Sequence, residues 1–350
     1  MTGEYPIYGA AGYIGNVDFY HQEKPYVAIV KDGAGIGRTT LHPAKSSVIG
    51  TMQYLLPKDN VLPEYLCYVV RHMHLEKYFT GATIPHIYFR DYKNEKFNLD
   101  SLDKQAEIIE ILGKAESIIL KRRKELAELD NLIKARFVEM FGDMYLNTME
   151  WRELHLETMA DIVSGITKGR KIAGKQLTKV PYMAVSNVKD GYIDWTTVKT
   201  IEATDQEINQ YRLLPDDVLM TEGGDPDKLG RGAIIRTPLE NCIHQNHIFR
   251  VRLDESHILP DYFAEYLKHQ RAKRYFLGCA KQTTGIASIN MKQLKALPVL
   301  LPPLELQNEF SAFIRQIDKS KVVELIHRMN VLFNITLNGG NRYDIRANEF

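Results

Sequence analysis

Two similar segments occur in the chain: "LPEYLCYVV" begins at Leu62, and "LPDYFAEYL" begins at Leu259. The pattern Tyr-Phe-x-Gly follows at the same offset in both copies, at 78–81 and at 275–278. A period of roughly 200 residues is far too long for the repeat of a solenoid. The sequence therefore predicts a tandem duplication of a whole domain.

The match resumes after the second copy gains five residues of loop. The corresponding positions are then Leu102 and Leu304, Gln105 and Gln307, Ile108 and Phe310. Upstream, Gly-Tyr-Ile at 12–14 has a counterpart at 191–193. Each copy is predicted to be a mixed domain followed by a heptad-patterned helix. The fold class is therefore α+β, with two mixed α/β domains separated by long helices that pair as an antiparallel coiled coil.

The second copy shows the elements of the mixed domain most clearly. Short segments rich in β-branched and aromatic residues predict strands at "PYMAVSNV", "GYIDWTTV", "DVLMT", "GAIIRT" and "HIFRVRL". Pro260 is then predicted to begin a helix that runs through "DYFAEYLKHQRAKRYF", because proline is well tolerated at the first helical position. Pro63 begins the matching helix in the first copy.

A heptad pattern runs from about Leu102 to Phe141, with apolar residues seven apart and charged residues between them. Such a helix is ~60 Å long. It could be a general dimerisation helix, but the duplication favours pairing with its own second copy. The residues predicted to pair are Leu112, Ile119, Leu126, Leu129, Ile133, Phe310, Ile314 and Ile317.

Composition excludes several classes of protein. A net charge of +1 argues against a broadly basic nucleic-acid coat, although local basic loops remain compatible with it. The 3 cysteines lie far apart and offer neither a disulfide framework nor a zinc site, which is typical of a reducing cytoplasm. We find no secretory signal, no apolar stretch long enough to cross a membrane, and no residue pattern that requires a cofactor or a metal.

The order of motifs resembles the DNA-specificity subunit of type I restriction–modification systems. The first copy contributes "YPIYGAAGYIGNVDFY", "VAIVKDGAGIGRTT", "YFTGATIPHI" and the long helix. The second contributes "WRELHLETMADIVSGIT", "TTGIASINMKQLKALPVLLPPLELQ" and the helix that follows. Each motif is weak by itself, but their duplicated order is specific and covers the chain to about residue 330.

The resemblance implies two target-recognition domains that each read one half of a bipartite site in double-stranded DNA. A helical rod would fix the spacing of the two half-sites. It implies a non-catalytic chain that docks two methyltransferase (modification) subunits, and restriction/translocase subunits in the full complex. The implied domains are a first recognition domain at 1–100, a first helix at 101–146, a second recognition domain at 147–301, a second helix at 302–333 and an atypical tail at 334–350.

The chain departs from the family pattern in two places. Only five residues precede Pro6, whereas 30 residues run from Trp151 to the position before the matching Pro181. We therefore expect the first recognition domain to be truncated, without an opening strand. The second helix loses its heptads after Ile317. A truncated or recombined cassette that acts as a partial DNA-binding module is an alternative interpretation.

Basic and amide-rich loops are the candidates for DNA contact, since cations neutralise phosphates and amides read adenine. The predicted residues are Lys31, Arg38, Lys168, Arg170, Lys171, Lys175, Lys228, Arg231, Gln245, Asn246, Lys281, Gln282 and Thr283. A structural hairpin or a solvated loop is the competing interpretation for each group. "DGAGIGRTT" lacks the lysine and the spacing of a phosphate-binding loop, so nucleotide binding is a weak rival. A coiled-coil adaptor for protein partners is the other.

Overall fold

The computed structural model describes residues 3–81, 84–171, 174, 176–225, 229–283 and 286–319. The chain forms two compact units. The first contains the described residues up to Arg123, and the second contains those from Lys124 onward. No helix among the described residues has the length and apolar character needed to cross a membrane.

The first unit is built on two small three-stranded sheets. Its strands are β1 (Tyr5–Gly9), β2 (Gly12–Val17), β3 (Tyr26–Val30), β4 (Thr39–His42), β5 (Ser47–Val48) and β6 (Met52–Leu55). One sheet has the order β2-β1-β5, with β5 parallel to β1, and the other has the antiparallel order β4-β3-β6. Every residue of the central strand β3 is buried, which agrees with its uniformly apolar sequence.

Helices cover and complete this unit. They are α1 (Pro63–His72), a 3₁₀ turn (Leu75–Tyr78), α2 (Phe89–Tyr92) and α3 (Leu102–Phe141), which continues into the second unit. Pro63 occupies the first turn of α1, as the sequence predicts. The helix packs on β3 and β4. Val70, Leu75 and Ile87 bury their side chains in the core beneath Ile29.

The second unit repeats this arrangement with additional strands. Its strands are β7 (Arg152–His155), β8 (Ala160–Ser164), β9 (Thr178–Met183), β10 (Lys199–Ala203), β11 (Asp217–Thr221), β12 (Gly223–Gly224), β13 (Gly232–Ile235), β14 (Ile243–His244), β15 (Ile248–Leu253), β16 (Lys281–Thr283), β17 (Ile286–Ser288) and β18 (Pro298–Leu301). Its helices are α4 (Asp205–Tyr211), α5 (Pro260–Lys268), α6 (Gln270–Cys279), α7 (Met291–Lys295) and α8 (304–319).

The sheets of the two units correspond strand by strand. The antiparallel order β13-β11-β15 matches β4-β3-β6, and the parallel pair β14 and β9 matches β5 and β1. The second unit adds β8 beside β15 and pairs β7 with β18. Within the described residues of the first unit, the sheet around β3 ends at β6. The truncation of the first domain remains a prediction.

Two sequence-based assignments in the second unit are wrong. The predicted helix from Pro260 to Phe276 is broken at His269, whose extended backbone (φ −79, ψ 154) separates α5 from α6. The segment "GYIDWTTV" forms only an isolated bridge at Ile193, and the strand that pairs with β9 is the following one, β10. Strands β11, β13 and β15 lie where the sequence predicts them.

A buried glutamine fastens the helix after each mixed domain. Gln105 Oε1 accepts the N–H of Leu62, and Gln307 Oε1 accepts the N–H of Leu259, both at 2.8 Å. The Nε2 group of each glutamine donates to two carbonyls, those of Asn60 and Asp100 in the first unit and those of His257 and Pro302 in the second. The predicted correspondence of Gln105 with Gln307 is therefore confirmed in three dimensions.

Helix α3 begins and ends where the heptad pattern predicts, but its seam is only partly buried. Ile133 is buried together with Phe310, Ile314 and Ile317, and Leu129 packs against the same cluster. The Phe310 ring lies 5.4 Å from those of Phe137 and Phe141.

The earlier seam residues are more exposed in the described part of the chain, and their pairing with the second helix remains a prediction. Leu112 is 37% exposed, and Ile119 and Leu126 are half-buried. In the described part of the chain, α8 covers α3 only near the end that includes Ile133. The antiparallel direction of the helix pair remains a prediction.

Candidate nucleic-acid interface

Four backbone hydrogen bonds place the same loops at the same positions in both units. In the first unit, Lys31 N–H bonds Thr51 O, and Ile87 N–H bonds Lys31 O; in the second, Glu222 N–H bonds His247 O, and Ile289 N–H bonds Glu222 O, all at 2.9–3.0 Å. Two further bonds are equivalent. In the first unit, Ile49 N–H bonds Tyr8 O, and Met52 N–H bonds Ile49 O. In the second unit, Gln245 N–H bonds Met183 O, and Ile248 N–H bonds Gln245 O. The backbone thus defines equivalent loops.

In the second unit these loops form one surface. We define the loop face as residues 165–171, 222–225, 245–247 and 281–283. Gly165 is required for this arrangement, since an added Cβ would lie 1.9 Å from the carbonyl oxygen of His244. The N–H of Asn246 bonds Ile166 O at 3.1 Å, which joins the first segment to the third.

The basic part of the loop face is less available than the sequence suggests. Arg170 is fastened to Glu207 by hydrogen bonds of 2.5 and 2.9 Å, and it also donates to the carbonyl of Glu202. This guanidinium lowers the pKa of the Glu207 carboxyl from 4.5 to about 2. The geometry therefore favours a structural role for Arg170 over the predicted phosphate contact.

The neighbouring lysines remain candidates for phosphate contact. Lys168 and Lys171 are exposed, and the Lys168 ammonium lies 5.0 Å from the centre of the Tyr182 ring. The predicted contact at Lys175 lies outside the described residues. Ammonium groups held on a loop can neutralise phosphates and release counterions.

The amide-bearing segment 245–247 lies beside Glu222. His247 Nδ1 is 2.5 Å from Glu222 Oε2, and Asn246 Nδ2 is 3.4 Å from His247 Nε2. Gln245 Oε1 accepts the N–H of Val185 at 3.4 Å. The predicted residues Gln245 and Asn246 are both half-buried.

The glycine-rich turn of the second unit joins the segment that contains Lys281. Strands β12, β17 and β16 form one small sheet, in which Gly223 and Lys281 both pair with Ser288. Lys281 is exposed. The side chains of Gln282 and Thr283 and the whole of Lys228 lie outside the described residues, so their predicted DNA contacts remain predictions.

Arg231 lies on the other side of this turn. Gly230 has a φ of +73°, and an added Cβ would lie 2.2 Å from the Phe276 ring, so only glycine fits before the arginine. Arg231 lines a small hollow with Asp190, Lys268 and Lys273. Its Nε is buried and lacks a hydrogen-bond partner among the described residues. Phosphate contact by Arg231 remains a prediction.

The first unit presents different chemistry at the equivalent loops. Lys31 takes the place of Glu222, and Ile49-Gly50-Thr51 takes the place of Gln245-Asn246-His247. Arg38 is exposed, and its guanidinium donates to the carbonyl of Ala10. Asp32 pairs instead with His86, whose ring lies 4.0 Å from that of Tyr88.

His244 has a structural role. Its ring nitrogens lie 3.1 and 3.2 Å from the carbonyl oxygens of Tyr211 and Val163. Burial lowers the pKa of this imidazole to about 4, so the ring is neutral at pH 7. In the part of the chain that the structure describes, no group of three or more His, Cys, Asp or Glu side chains is placed to hold a metal ion.

Sequence reasoning missed Glu222 and His247 as members of the candidate interface. The segment "HQNH" contains His247, but the sequence prediction rests on the two amides of the segment alone. The glutamate is separated from the histidine by 25 residues, and nothing in their spacing indicates a pair. Only the pairing of β11 with β15 brings the two side chains together.

Comparison with known proteins gives the same answer as the repeated architecture. A family model described as type I restriction modification DNA specificity domain matches residues 1–131 and again 149–330. A solved structure of a type I restriction–modification S subunit from M. genitalium aligns with 95% of this chain and 87% of its own, with a TM-score of 0.53 and 15% identity, which shows a shared fold.

Two curated relatives carry related descriptions. The putative type I restriction enzyme MjaX specificity subunit of Methanocaldococcus jannaschii is 27% identical over 186 residues, or 51% of this chain. The type I restriction enzyme EcoKI specificity subunit of Escherichia coli K12 is 24% identical over 202 residues, or 57% of this chain. These alignments span 43% and 42% of the relatives' lengths. Because the family model matches most of the sequence in two successive copies, the chain belongs to the type I restriction–modification DNA specificity family.

Proposed function

We propose that the chain is the non-catalytic DNA-recognition subunit of a type I restriction–modification complex in the cytoplasm. Each unit would read one half of a bipartite site in double-stranded DNA. The observation that carries the proposal is the pair of equivalent loop sets, fixed by the same four backbone hydrogen bonds but bearing different side chains. A conserved backbone frame with variable loops suits a protein that must read a different sequence with each copy.

The long helix supports a second part of the proposal, which is the docking of two modification subunits and, in the full complex, restriction/translocase subunits. Helix α3 exposes Leu120, Leu132 and Val138 by 70%, 47% and 49%. Scattered apolar side chains of this kind are common on protein surfaces and are compatible with the docking of protein partners. The alternative of a coiled-coil adaptor that binds only protein shares this feature. Salt-dependent DNA binding distinguishes the two.

The direct test is to co-express the full chain with the modification subunits of a type I system and to map methylated adenines. We expect methylation at one bipartite sequence, and none when the chain is omitted. The purified chain without partners should show no methyltransferase, nuclease or ATPase activity. Methylation that is independent of the chain, or turnover by the chain alone, would contradict the proposal.

A further inference from the structure

Three side chains of the second unit form a connected hydrogen-bond series on the loop face. Glu222 Oε2 lies 2.5 Å from His247 Nδ1, and His247 Nε2 lies 3.4 Å from Asn246 Nδ2. The side chain of Glu222 is 34% exposed and that of His247 is 57% exposed, so the series reaches the surface.

The backbone holds all three residues in place. The N–H of Glu222 bonds His247 O at 3.0 Å, and the N–H of Ile289 bonds Glu222 O at 2.9 Å. The N–H of Asn246 bonds Ile166 O at 3.1 Å. Since the backbones of Glu222 and His247 are joined, and Glu222 and Asn246 are each tied to a further segment, the side chains start from fixed positions on the frame.

The chemistry of the groups gives the series a direction. An ionised carboxylate only accepts hydrogen bonds, so the tautomer of His247 that fits this contact carries its hydrogen on Nδ1, facing Glu222. The opposite nitrogen, Nε2, is then an acceptor. It accepts one N–H of the Asn246 amide, which fixes the sense of an amide that would otherwise be free to flip.

We propose that Glu222 and His247 are positioning residues that orient Asn246 to read one base of the second half-site; this rests on the proposed function. With one N–H bound to His247, the Asn246 amide keeps its oxygen and its second N–H for a ligand. That donor–acceptor pair matches the N6 amino group and N7 of adenine in the major groove. The ligand is thus an adenine base edge in duplex DNA.

The first unit has no such series at the equivalent loops. Lys31, Gly50 and Thr51 stand at the positions of Glu222, Asn246 and His247, and Gly50 has no side chain to orient. The frame is shared, and the orienting series belongs to the second unit. We therefore expect a change in the series to affect one half-site and leave the other unchanged.

The experiment uses the full chain, co-purified with its modification subunits, in competition binding against duplexes randomised at each half-site. Asn246→Ala should reduce the preference for adenine over the other bases at one position by a factor of roughly 5 to 100. His247→Ala should lose preference at the same position. The double variant, with both Asn246→Ala and His247→Ala, should lose no more of the adenine preference than Asn246→Ala alone. Glu222→Gln should retain most of the preference, because its amide oxygen can still accept the Nδ1 hydrogen, whereas Glu222→Ala should not.

His257→Ala is the matched control. His257 also pairs with a carboxylate, Asp254, at 3.2 Å. It follows the C-terminal end of β15, whereas His247 directly precedes the N-terminal end of the same strand. This variant should keep every base preference, and all variants should retain equal affinity for non-specific DNA.

Three outcomes are decisive. Loss of preference at one shared position in the Asn246 and His247 variants supports the inference. Unchanged preferences, or a loss of affinity for all sequences alike, would overturn it while the proposed function stands. Absence of any sequence preference in the unaltered complex would overturn the proposed function, and the inference with it.

Discussion

The two units share a backbone frame and differ in what the frame presents. Strand β3 lies between β4 and β6, as β11 lies between β13 and β15. Gln105 and Gln307, which we call the glutamine clamps, each make three equivalent hydrogen bonds. The equivalent loops that this frame fixes carry different side chains in the two units. The shared positions hold the frame together, whereas the proposed recognition of DNA falls on loops whose side chains differ between the two units.

The second unit also carries structure with no described counterpart in the first. Strand β8 extends its main sheet, and the segment 165–171 brings Lys168 and Lys171 to the loop face. The first unit offers Lys31 and Arg38 at its glycine-rich turn. This difference predicts that the second unit dominates contact with DNA phosphates.

The largest expected effect is on the free energy of unfolding, and it distinguishes α8 from α3, the helices that follow the two mixed domains. Phe310 is fully buried between Phe137 and Phe141, whereas its counterpart Ile108 is half-buried. Phe310→Ala should lower the free energy of unfolding of the second unit by about 3–5 kcal/mol, because it leaves a cavity. Ile108→Ala should cost the first unit about 1 kcal/mol. Hydrogen exchange in β11 and in β3 reports each unit separately. Equal losses in the two units would contradict this account.

The glutamine clamps should respond alike in both units. Gln105→Ala and Gln307→Ala each remove three hydrogen bonds and leave buried backbone groups without partners. Each substitution should lower the free energy of unfolding of its own unit by about 3 kcal/mol, as measured by urea denaturation. Asn308→Ala is the control, since Asn308 is exposed and, among the described residues, its side chain donates to the carbonyl of Leu304 in its own helix. A clamp variant as stable as this control would show that the shared frame does not depend on the glutamines.

A smaller, pH-dependent effect belongs to the second unit alone. The pKa of Glu207 is about 2 in the folded chain, below its ordinary value of 4.5, because Arg170 donates to its carboxylate. The unfolded chain binds more protons in that interval. The stabilisation is therefore complete above pH 4.5 and is lost as the pH falls toward 2.

Arg170→Ala should therefore lower the free energy of unfolding by about 1.5–3 kcal/mol at neutral pH. The difference from the unaltered chain should shrink below pH 4.5. Urea denaturation across this range measures it, and Lys171→Ala, which removes an exposed neighbouring cation, should show no such dependence. A constant difference at every pH would show that Arg170 acts through packing.

Local pattern predicted the elements, and long-range contact decided their roles. The heptads gave the bounds of α3, because apolar spacing follows from helical periodicity. The same spacing does not show how far the partner helix reaches, and Leu112 is 37% exposed in the described part of the chain. Arg170 looked like a phosphate ligand because its partner Glu207 stands 37 residues away in a different element. The break at His269 likewise could not be predicted, because no proline or glycine marks it in the sequence.

The most direct test of the central claim is a titration of duplex DNA at several salt concentrations by the full complex. Each phosphate contact contributes about −0.9 to the slope of log affinity against log salt. Changing Lys168, Lys171 and Lys175 together to Ala should weaken binding and flatten the slope by up to about 2.7. Changing Lys31 and Arg38 to Ala should weaken binding less and flatten the slope less. Equal losses of affinity and slope would show that both units contact DNA equally, and would contradict the dominance of the second unit.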